Sequence, residues 1–209
     1  LTFDASTGKV TSLATATTGT ETLTLTVTDL LGSTSTTQFK LTVNGKISLS
    51  TVTVPDGDVG TPYLLGIVQN GGVGSLTTAI STGALPPGLS LDENTTNIRG
   101  TPTTPGKYSA TLVASDDSGS ATIALTININ AAMSINTTVP TAVVGTALAY
   151  QFSVTGGEAT KTYKITGTIP DGLSLDQNTG ILSGTPTSAG ASNVELVVSD
   201  GISTQSVSV

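Results

Sequence analysis

The side chains with the clearest potential for chemistry in this sequence are aspartates that recur at regular spacing. One set comprises the residues that directly follow a Leu-x-Phe or Leu-x-Leu triplet: Asp4, Asp92 and Asp176. A second set stands further along each copy, close to Gly or Ser: Asp29, Asp116 and Asp200. A carboxylate at the end of a strand can accept backbone N–H groups and brace a turn. Several carboxylates gathered together can instead bind Ca²⁺, which takes six to eight oxygen ligands.

The acidic residues of the central part of the chain are the best candidates for such a calcium site. The candidate ligands are Asp56, Asp58, Asp92, Asp116 and Asp117. Two of them have no acidic counterpart one repeat later, because Asp56 aligns with Thr141 and Asp58 with Val143. We therefore favour the turn brace and expect no cofactor, with calcium as the alternative.

Catalytic chemistry finds little support in the residue types. The sequence contains no His and no Cys, which removes Ser-His-Asp and Cys-His nucleophiles and the usual zinc ligands. A pair of carboxylates of the glycosidase kind remains conceivable. However, the recurring carboxylates are present in every copy of the repeat, and active sites rarely accompany a scaffold in tandem. The sequence predicts that this region is not an enzyme.

The elements that position the aspartates belong to a tandem repeat. Segments 89–98 and 173–182 correspond without a gap at a spacing of 84 residues, and segment 1–10 is a third copy. Residues 46–130 are predicted to form one complete domain and residues 132–209 another with a slightly shortened last strand. Residues 1–44 match only the C-terminal half of a repeat. This pattern predicts that the chain is a window of a longer polypeptide.

Alternation of apolar and polar residues predicts an all-β chain of tandem sandwiches with about seven short strands per repeat. In the second repeat, segment 47–54 reads as a first strand and 121–129 as the closing strand. Asn70-Gly71-Gly72 reads as a tight hairpin, since glycine supplies positive φ. Alternation leaves Tyr163 unassigned and predicts six aromatic rings to point inward: Phe3, Phe39, Tyr63, Tyr108, Tyr150 and Phe152.

Charge and linker length limit the partners of the chain. The net charge is −7 and the seven basic residues are scattered, so we expect no nucleic-acid binding. The junctions at residues 44–46 and 130–132 are short, which predicts a semi-rigid rod in which neighbouring repeats touch. Neither junction contains an acidic residue, so we expect packing rather than calcium to set the angle between repeats.

The longest ordered motif resembles a known family. The run Leu85-Pro86-Pro87-Gly88-Leu89-Ser90-Leu91-Asp92 is followed by Gly100-Thr101-Pro102, and the third copy repeats this pattern. It resembles the bacterial "putative Ig" repeats, relatives of dystroglycan-type cadherin-like domains. In the first copy Ser12-Leu13-Ala14 replaces Gly-Thr-Pro, which predicts a reshaped turn. The resemblance implies Ig-like or cadherin-like sandwiches in large secreted or surface proteins.

Three functions follow as expectations. The first is a non-catalytic extracellular rod for adhesion or display on a cell or virion surface. The second is a structural subunit of a surface layer, filament or virion appendage, because a half sandwich exposes sheet edges that a neighbouring chain can cover by strand addition. The third is an accessory module of a secreted polysaccharide-degrading enzyme. Expected partners are other repeats of the same chain, neighbouring subunits, and a protein or glycan ligand of unknown identity.

Overall fold

A computed structural model describes residues 2–11, 17–51 and 53–209 of the chain. Every regular element within these residues is a β-strand, which confirms the predicted all-β class. The reshaped turn expected at Ser12–Ala14 lies outside the described residues. The chain divides into two compact units: Leu1–Ser50, Val68–Thr78 and Val113–Thr122 form the first, while Thr51–Ile67, Ala79–Leu112 and Ile123–Val209 form the second.

The first repeat consists of two antiparallel hairpins. Its strands are β1 (Thr2–Asp4), β2 (Lys9–Thr11), β3 (Gly19–Thr28) and β4 (Thr34–Val43). In the long β3–β4 hairpin Leu23 lies opposite Phe39 and Leu25 opposite Thr37. These are the two strands that the alternation predicted for the end of the first copy. Their apolar side chains share one face.

The second repeat contains nine strands. They are β5 (Ser48–Ser50), β6 (Gly57–Asp58), β7 (Tyr63–Leu65), β8 (Val68–Asn70), β9 (Thr77–Gly83), β10 (Leu89–Asp92), β11 (Asn97–Gly100), β12 (Gly106–Asp116) and β13 (Gly119–Asn130). The sheet orders are β10-β11-β7 and β6-β13-β12-β9, with β5 and β8 as a separate pair. Strand β6 runs parallel to the end of β13, so that Asp58 lies opposite Asn130.

The core of the second repeat comes from the alternating residues of facing strands. Tyr63, Leu65 and Ile67 are buried as predicted, and Leu112 and Ile127 are 0% and 1% exposed. Burying each such side chain stabilises the fold by about 1.5–3 kcal/mol relative to leaving it in water. One expectation was wrong: the strand predicted over 47–54 ends at Ser50, and the chain pairs again only at Gly57. The reason is that the two parts of this segment pair with different strands: β5 pairs with β8, whereas β6 pairs with β13.

The third repeat repeats the sandwich with eight strands. They are β14 (Ser134–Ile135), β15 (Leu148–Gln151), β16 (Val154–Thr155), β17 (Thr162–Thr166), β18 (Leu173–Leu175), β19 (Ile181–Gly184), β20 (Glu195–Ser199) and β21 (Thr204–Ser208). The sheet orders are β15-β19-β18 and β17-β20-β21, and β14 pairs with β16. Phe152, Leu196 and Val198 form the centre of its core with Met133.

The prediction of inward aromatic rings is confirmed for Tyr63, Tyr150 and Phe152, whereas Tyr108 is only half-buried and the prediction is wrong for the first repeat. Tyr63 and Phe152 are buried, and the rings of Tyr150 and Phe152 meet edge to face at 5.2 Å. Phe3 and Phe39, by contrast, are 53% and 41% exposed. The physical reason is that the side chains of the β3–β4 hairpin point to one face as expected, but among the described residues only the short β1–β2 hairpin lies opposite that face, and an open cavity remains between them.

Candidate functional site

The first set of recurring aspartates braces the turn that follows a short strand. Asp176 accepts the backbone N–H groups of Asn178 at 2.9 Å and Thr179 at 3.1 Å. These bonds hold the pKa of the Asp176 carboxyl below its ordinary value, with the Asn178 N–H contributing most. Asp4 and Asp92 accept N–H groups in the same way two residues further on. The predicted turn brace is therefore confirmed.

Two aspartates of the second set, Asp116 and Asp200, each brace two loops at once. Asp200 accepts the N–H groups of Ile202 at 3.0 Å and Ser203 at 2.8 Å in its own turn. Its other carboxylate oxygen accepts the N–H of Glu158, 42 residues earlier, at 2.8 Å. Gly157 has φ +65°, and a Cβ at this position would lie against that oxygen. The glycine is needed both for the turn and for the close approach of the carboxylate.

The same two-loop brace occurs in the second repeat, within the first compact unit. Asp116 accepts the N–H of Val73 at 2.9 Å and that of Ser118 at 2.7 Å. Gly72 has φ +94° and places its backbone against the carboxylate, as Gly157 does. The Ser118 hydroxyl, which also donates to Asp116, contributes most to holding the pKa of this carboxyl below its ordinary value. The tight hairpin predicted at Asn70-Gly71-Gly72 is wrong, because β8 pairs with β5 and β9 with β12; the glycines instead allow the loop to approach the Asp116 carboxylate.

A cluster of polar side chains forms where the second repeat meets the third, and we call it the junction cluster: Asp58, Asn130, Asp200 and Ser203. Asp58 is 1% exposed. One of its carboxyl oxygens accepts the Asn130 side-chain N–H at 3.1 Å, and the other accepts the Ser203 hydroxyl at 2.6 Å. Ser203 lies 145 residues after Asp58, so this bond links consecutive repeats.

The pKa values of the two carboxyl groups in the junction cluster are shifted in opposite directions from the ordinary value of an aspartate. Burial raises the pKa of Asp58, and the neighbouring Asp200 carboxylate adds to the rise. Burial opposes ionisation of Asp200 as well, but the N–H groups of Ser203, Glu158 and Ile202 together hold the pKa of Asp200 below its ordinary value. Asp200 is therefore the carboxylate of the pair, and Asp58 is the group that retains a proton to higher pH.

The sequence-predicted calcium ligands lie in separate places. Asp58 belongs to the junction cluster, and Asp56 accepts the Asn128 side-chain amide at 3.1 Å. Asp92 pairs with the Arg99 guanidinium at 2.7 Å, while Asp116 braces the Val73 loop. Asp117 lies beside Gly74. Across residues 2–11, 17–51 and 53–209, no group of three or more His, Cys, Asp or Glu side chains is arranged to hold a metal ion.

Sequence reasoning missed the junction cluster because the linker itself contains no acidic residue. The carboxylates reach the junction from strand β6 and from the β20–β21 turn. The repeat alignment gave no signal either: Asp58 aligns with Val143, which is 64% exposed in the third repeat. The absence of acid in residues 130–132 was therefore a poor guide to what the junction contains.

The described side chains provide hydrogen bonds and burial rather than reactive groups. The recurring carboxylates Asp4, Asp92, Asp116, Asp176 and Asp200 accept bonds from backbone N–H groups, and the hydroxyls beside them donate to carboxylates. No buried side-chain nitrogen or oxygen in the described part of the chain lacks a hydrogen-bond partner. The arrangement stabilises turns and joins repeats.

An open apolar cavity of about 480 Å³ lies on the exposed face of the first repeat. Phe3, Val10, Leu23, Leu25 and Phe39 contribute its apolar lining. Its position corresponds to the interior of a complete sandwich.

The fold and the turn braces define tandem Ig-like sandwiches, and the sequence comparisons give their family. Residues 46–130 and 131–209 each match the family described as "Putative Ig domain". These two matches cover most of the chain, so the chain belongs to this family. The resemblance stated from the Leu-Pro-Pro-Gly and Gly-Thr-Pro motifs is confirmed.

Among curated proteins, the chain is similar to the "Serine-rich adhesin for platelets" of Staphylococcus aureus strain USA300. The two are 31% identical over 167 residues, which covers 74% of this chain and 7% of the adhesin. The adhesin of strain MRSA252 matches equally, with 12% of its length covered. The chain thus spans a small part of the length of the curated relatives it matches.

Among solved structures, the chain resembles Ig-domain arrays of cell-surface proteins. The N-terminal eight Ig domains of Down Syndrome Cell Adhesion Molecule match with a TM-score of 0.56 and 17% identity, over 92% of this chain and 31% of that one. Extracellular domains 3–5 of Drosophila OTK match with a TM-score of 0.51 and 9% identity, over 90% of this chain and 68% of that one. At such identities the likeness shows the fold alone. No helix in the described residues has the length and hydrophobicity to span a membrane.

Proposed function

We propose that the chain is a non-catalytic, extracellular repeat segment that serves adhesion or display at a cell surface. The observation that carries this proposal is the 31% identity over 167 residues to a staphylococcal surface adhesin. Binding to platelets is a property named for that adhesin. For the present chain we propose the narrower role of a repeat module that extends or presents a binding region.

The junction between the second and third repeats supports this role. A module that presents a binding region at a distance must resist bending between repeats. The linker at residues 130–132 is short, and the Ser203–Asp58 hydrogen bond ties the two repeats together beyond the linker. The bond is shielded from water, since Asp58 is 1% exposed, and separating the two repeats would leave buried hydrogen-bonding groups without their partners.

The residue types support the non-catalytic part of the proposal. With no His and no Cys in the sequence, the common nucleophile–base pairs cannot be built. The recurring carboxylates already accept backbone hydrogen bonds, which holds the pKa values of Asp116 and Asp176 low. A general acid requires the opposite shift.

Surface exposure on intact cells tests the proposal. Antibodies raised against the 209-residue chain are expected to label intact cells of the source organism, and brief protease treatment of those cells is expected to remove the signal. An antibody against a cytoplasmic protein serves as the control for cell integrity. Labelling that appears only after permeabilisation would refute an extracellular role. Beads coated with the chain, compared with albumin-coated beads, then measure whether it adheres to host cells such as platelets.

A second candidate function is that of a structural subunit that receives a strand from a neighbouring chain. The observation that favours it is the exposed face of the first repeat with its cavity of about 480 Å³. The extended β3–β4 hairpin also presents strand edges. If the face receives a strand, Phe39→Asp should abolish self-association of the chain in sedimentation, while the control Thr22→Asp, at an exposed position on the opposite face of β3, should have little effect. Equal association of all three proteins would argue against this candidate.

A further inference from the structure

The junction cluster places two carboxyl groups in one water-shielded space between the second and third repeats. Asp58 is 1% exposed and Asp200 is 8% exposed. The Ser203 hydroxyl lies between them, with its Oγ 2.6 Å from Asp58 Oδ2 and 3.4 Å from Asp200 Oδ1. A hydroxyl carries a single hydrogen, so Ser203 donates to one of the two carboxyl groups at a time and cannot neutralise both.

The hydrogen-bond partners of these two carboxyl groups are all uncharged. Asp58 accepts a side-chain amide and a hydroxyl, and Asp200 accepts three backbone N–H groups. Neither carboxyl group forms an ion pair with a Lys or Arg of the described residues. Two ionised carboxylates in such a space repel each other, and the repulsion is relieved when one of them retains a proton.

The other charged and titratable groups around the cluster do not supply the missing positive charge. Asp56, on the segment of Asp58, is itself acidic and accepts a side-chain amide of β13. Tyr63 donates its hydroxyl to a backbone carbonyl. On the loop that Asp200 braces, Glu158 adds a further carboxylate, and Lys161 Nζ donates to the backbone carbonyl of Glu158 at 2.6 Å. The end of β13 contributes amides and no titratable group.

The position of the proton couples the ionisation of Asp58 to the contact between the repeats. Burial contributes most to raising the pKa of Asp58, and its hydrogen bond to Asp200 adds to the rise. If the repeats separate, the Asp58 carboxyl group reaches water and its pKa returns towards the ordinary value of 3.8. The closed junction therefore binds a proton more tightly than the open one, and rising pH favours the open one.

We propose that the junction cluster is a proton-operated latch, which holds the second and third repeats together while Asp58 and Asp200 share one proton and loosens when both are ionised. The repeats themselves stay folded in both states, because Leu112 and Leu196 lie in separate cores that the latch does not touch. The latch goes beyond the proposed adhesive or display role, since it assigns the condition under which the module bends and not what the module presents.

The distribution of distances across the junction tests the latch in the whole chain. The sequence has no cysteine, so two introduced cysteines carry a pair of pH-insensitive dyes. Asn94→Cys lies in the exposed turn between β10 and β11, and the pairing of Gly100 with Tyr63 puts this turn at the end of the second repeat away from Asp58. Val143→Cys replaces a side chain of the third repeat that is 64% exposed.

Time-resolved energy transfer between the dyes gives the width of this distribution. We expect the distribution to broaden reversibly as the pH rises from 3.8 through the folded pKa of Asp58. The circular dichroism should stay unchanged over the same range, which shows that the repeats remain folded. The carbon-13 shift of the Asp58 carboxyl group should titrate with the same midpoint as the width. This last comparison uses the native side chain of Asp58 and needs no variant of the cluster.

Two substitutions separate the latch from a general effect of charge. Asp58→Asn keeps a neutral side chain at every pH and should lose the pH-dependent broadening. Asp56→Asn removes an exposed carboxylate two residues earlier, which bonds only within its own repeat, and should broaden as the wild type does. The proposal is overturned by a width that does not change with pH, by a midpoint that differs from that of Asp58, by broadening that persists in Asp58→Asn, or by broadening that accompanies loss of the β-type circular dichroism.

Discussion

The two-loop brace at Asp200 allows a quantitative prediction, because one carboxylate holds three backbone N–H groups. Asp200 is 8% exposed, so those groups cannot readily turn to water when the carboxylate is removed. At about 0.5–1.5 kcal/mol for each hydrogen bond, Asp200→Ala should lower the stability of the third repeat by roughly 2–4 kcal/mol. Relief of the repulsion between Asp200 and Asp58 offsets part of this loss, which places the expected value in the lower half of that range.

The conservative variant Asp200→Asn should be less damaging than alanine. Its amide oxygen can still accept the N–H groups of Ile202 and Ser203, whereas its NH₂ group would face the N–H of Glu158 and repel it. Asp176→Ala, in the exposed turn brace, should destabilise clearly less than Asp200→Ala, since the freed N–H groups there reach water. From the most to the least stable protein, the expected order is wild type, Asp176→Ala, Asp200→Asn and Asp200→Ala.

Amide hydrogen exchange followed by NMR measures this prediction site by site, and calorimetry gives the accompanying loss of thermal stability. In the Asp200→Ala chain, exchange at Glu158, Ile202 and Ser203 should accelerate before global unfolding. Exchange at Leu112 in the second repeat serves as an internal control and should remain unchanged. The brace argument would be refuted by an Asp200→Ala chain that keeps wild-type exchange at these three amides, or by Asp176→Ala proving the more damaging change.

Three further predictions concern the junction, the domain boundaries and calcium. The pKa of Asp58 is raised in the fold above its ordinary value of 3.8, so its contribution is complete below 3.8 and is lost as pH rises through the folded pKa. Wild-type thermal stability should therefore fall as the pH rises from 3.8 through the folded pKa of Asp58, and Asp58→Asn should remove that fall; the same slope in both proteins would contradict the assignment. A polypeptide of residues 46–130 should show β-type circular dichroism and a single cooperative melt, and a gradual, non-cooperative melt would show that the boundaries are wrong. Finally, the melting temperature and the maximum dimension in small-angle scattering should be the same in millimolar Ca²⁺ and in chelator, and a large loss of either on chelation would establish a calcium site.

The sandwich could be predicted from the sequence because its determinants are local and repeated. Alternation marked Tyr63, Leu65 and Ile67 as core, and the glycines at 71 and 72 marked a turn whose φ values are +72° and +94°. The exposure of Phe3 and Phe39 could not be predicted in this way. Alternation reports which side chains share a face of a sheet, but burial depends on whether a second sheet covers that face, and that information is not local.

The junction cluster shows why the candidate site was harder to predict than the fold. Every contact that fixes the turn braces lies within one repeat, and the braces recur at Asp116 and Asp200 with the same backbone donors. The junction instead depends on single positions that change between copies, such as Asp58 and Val143. The braced turn itself varies between copies, since Asp29 accepts the N–H four residues later and Asp200 the N–H three residues later. The bond between Ser203 and Asp58 therefore depends on a pair of residues 145 positions apart, which neither the repeat pattern nor the linker sequence indicates.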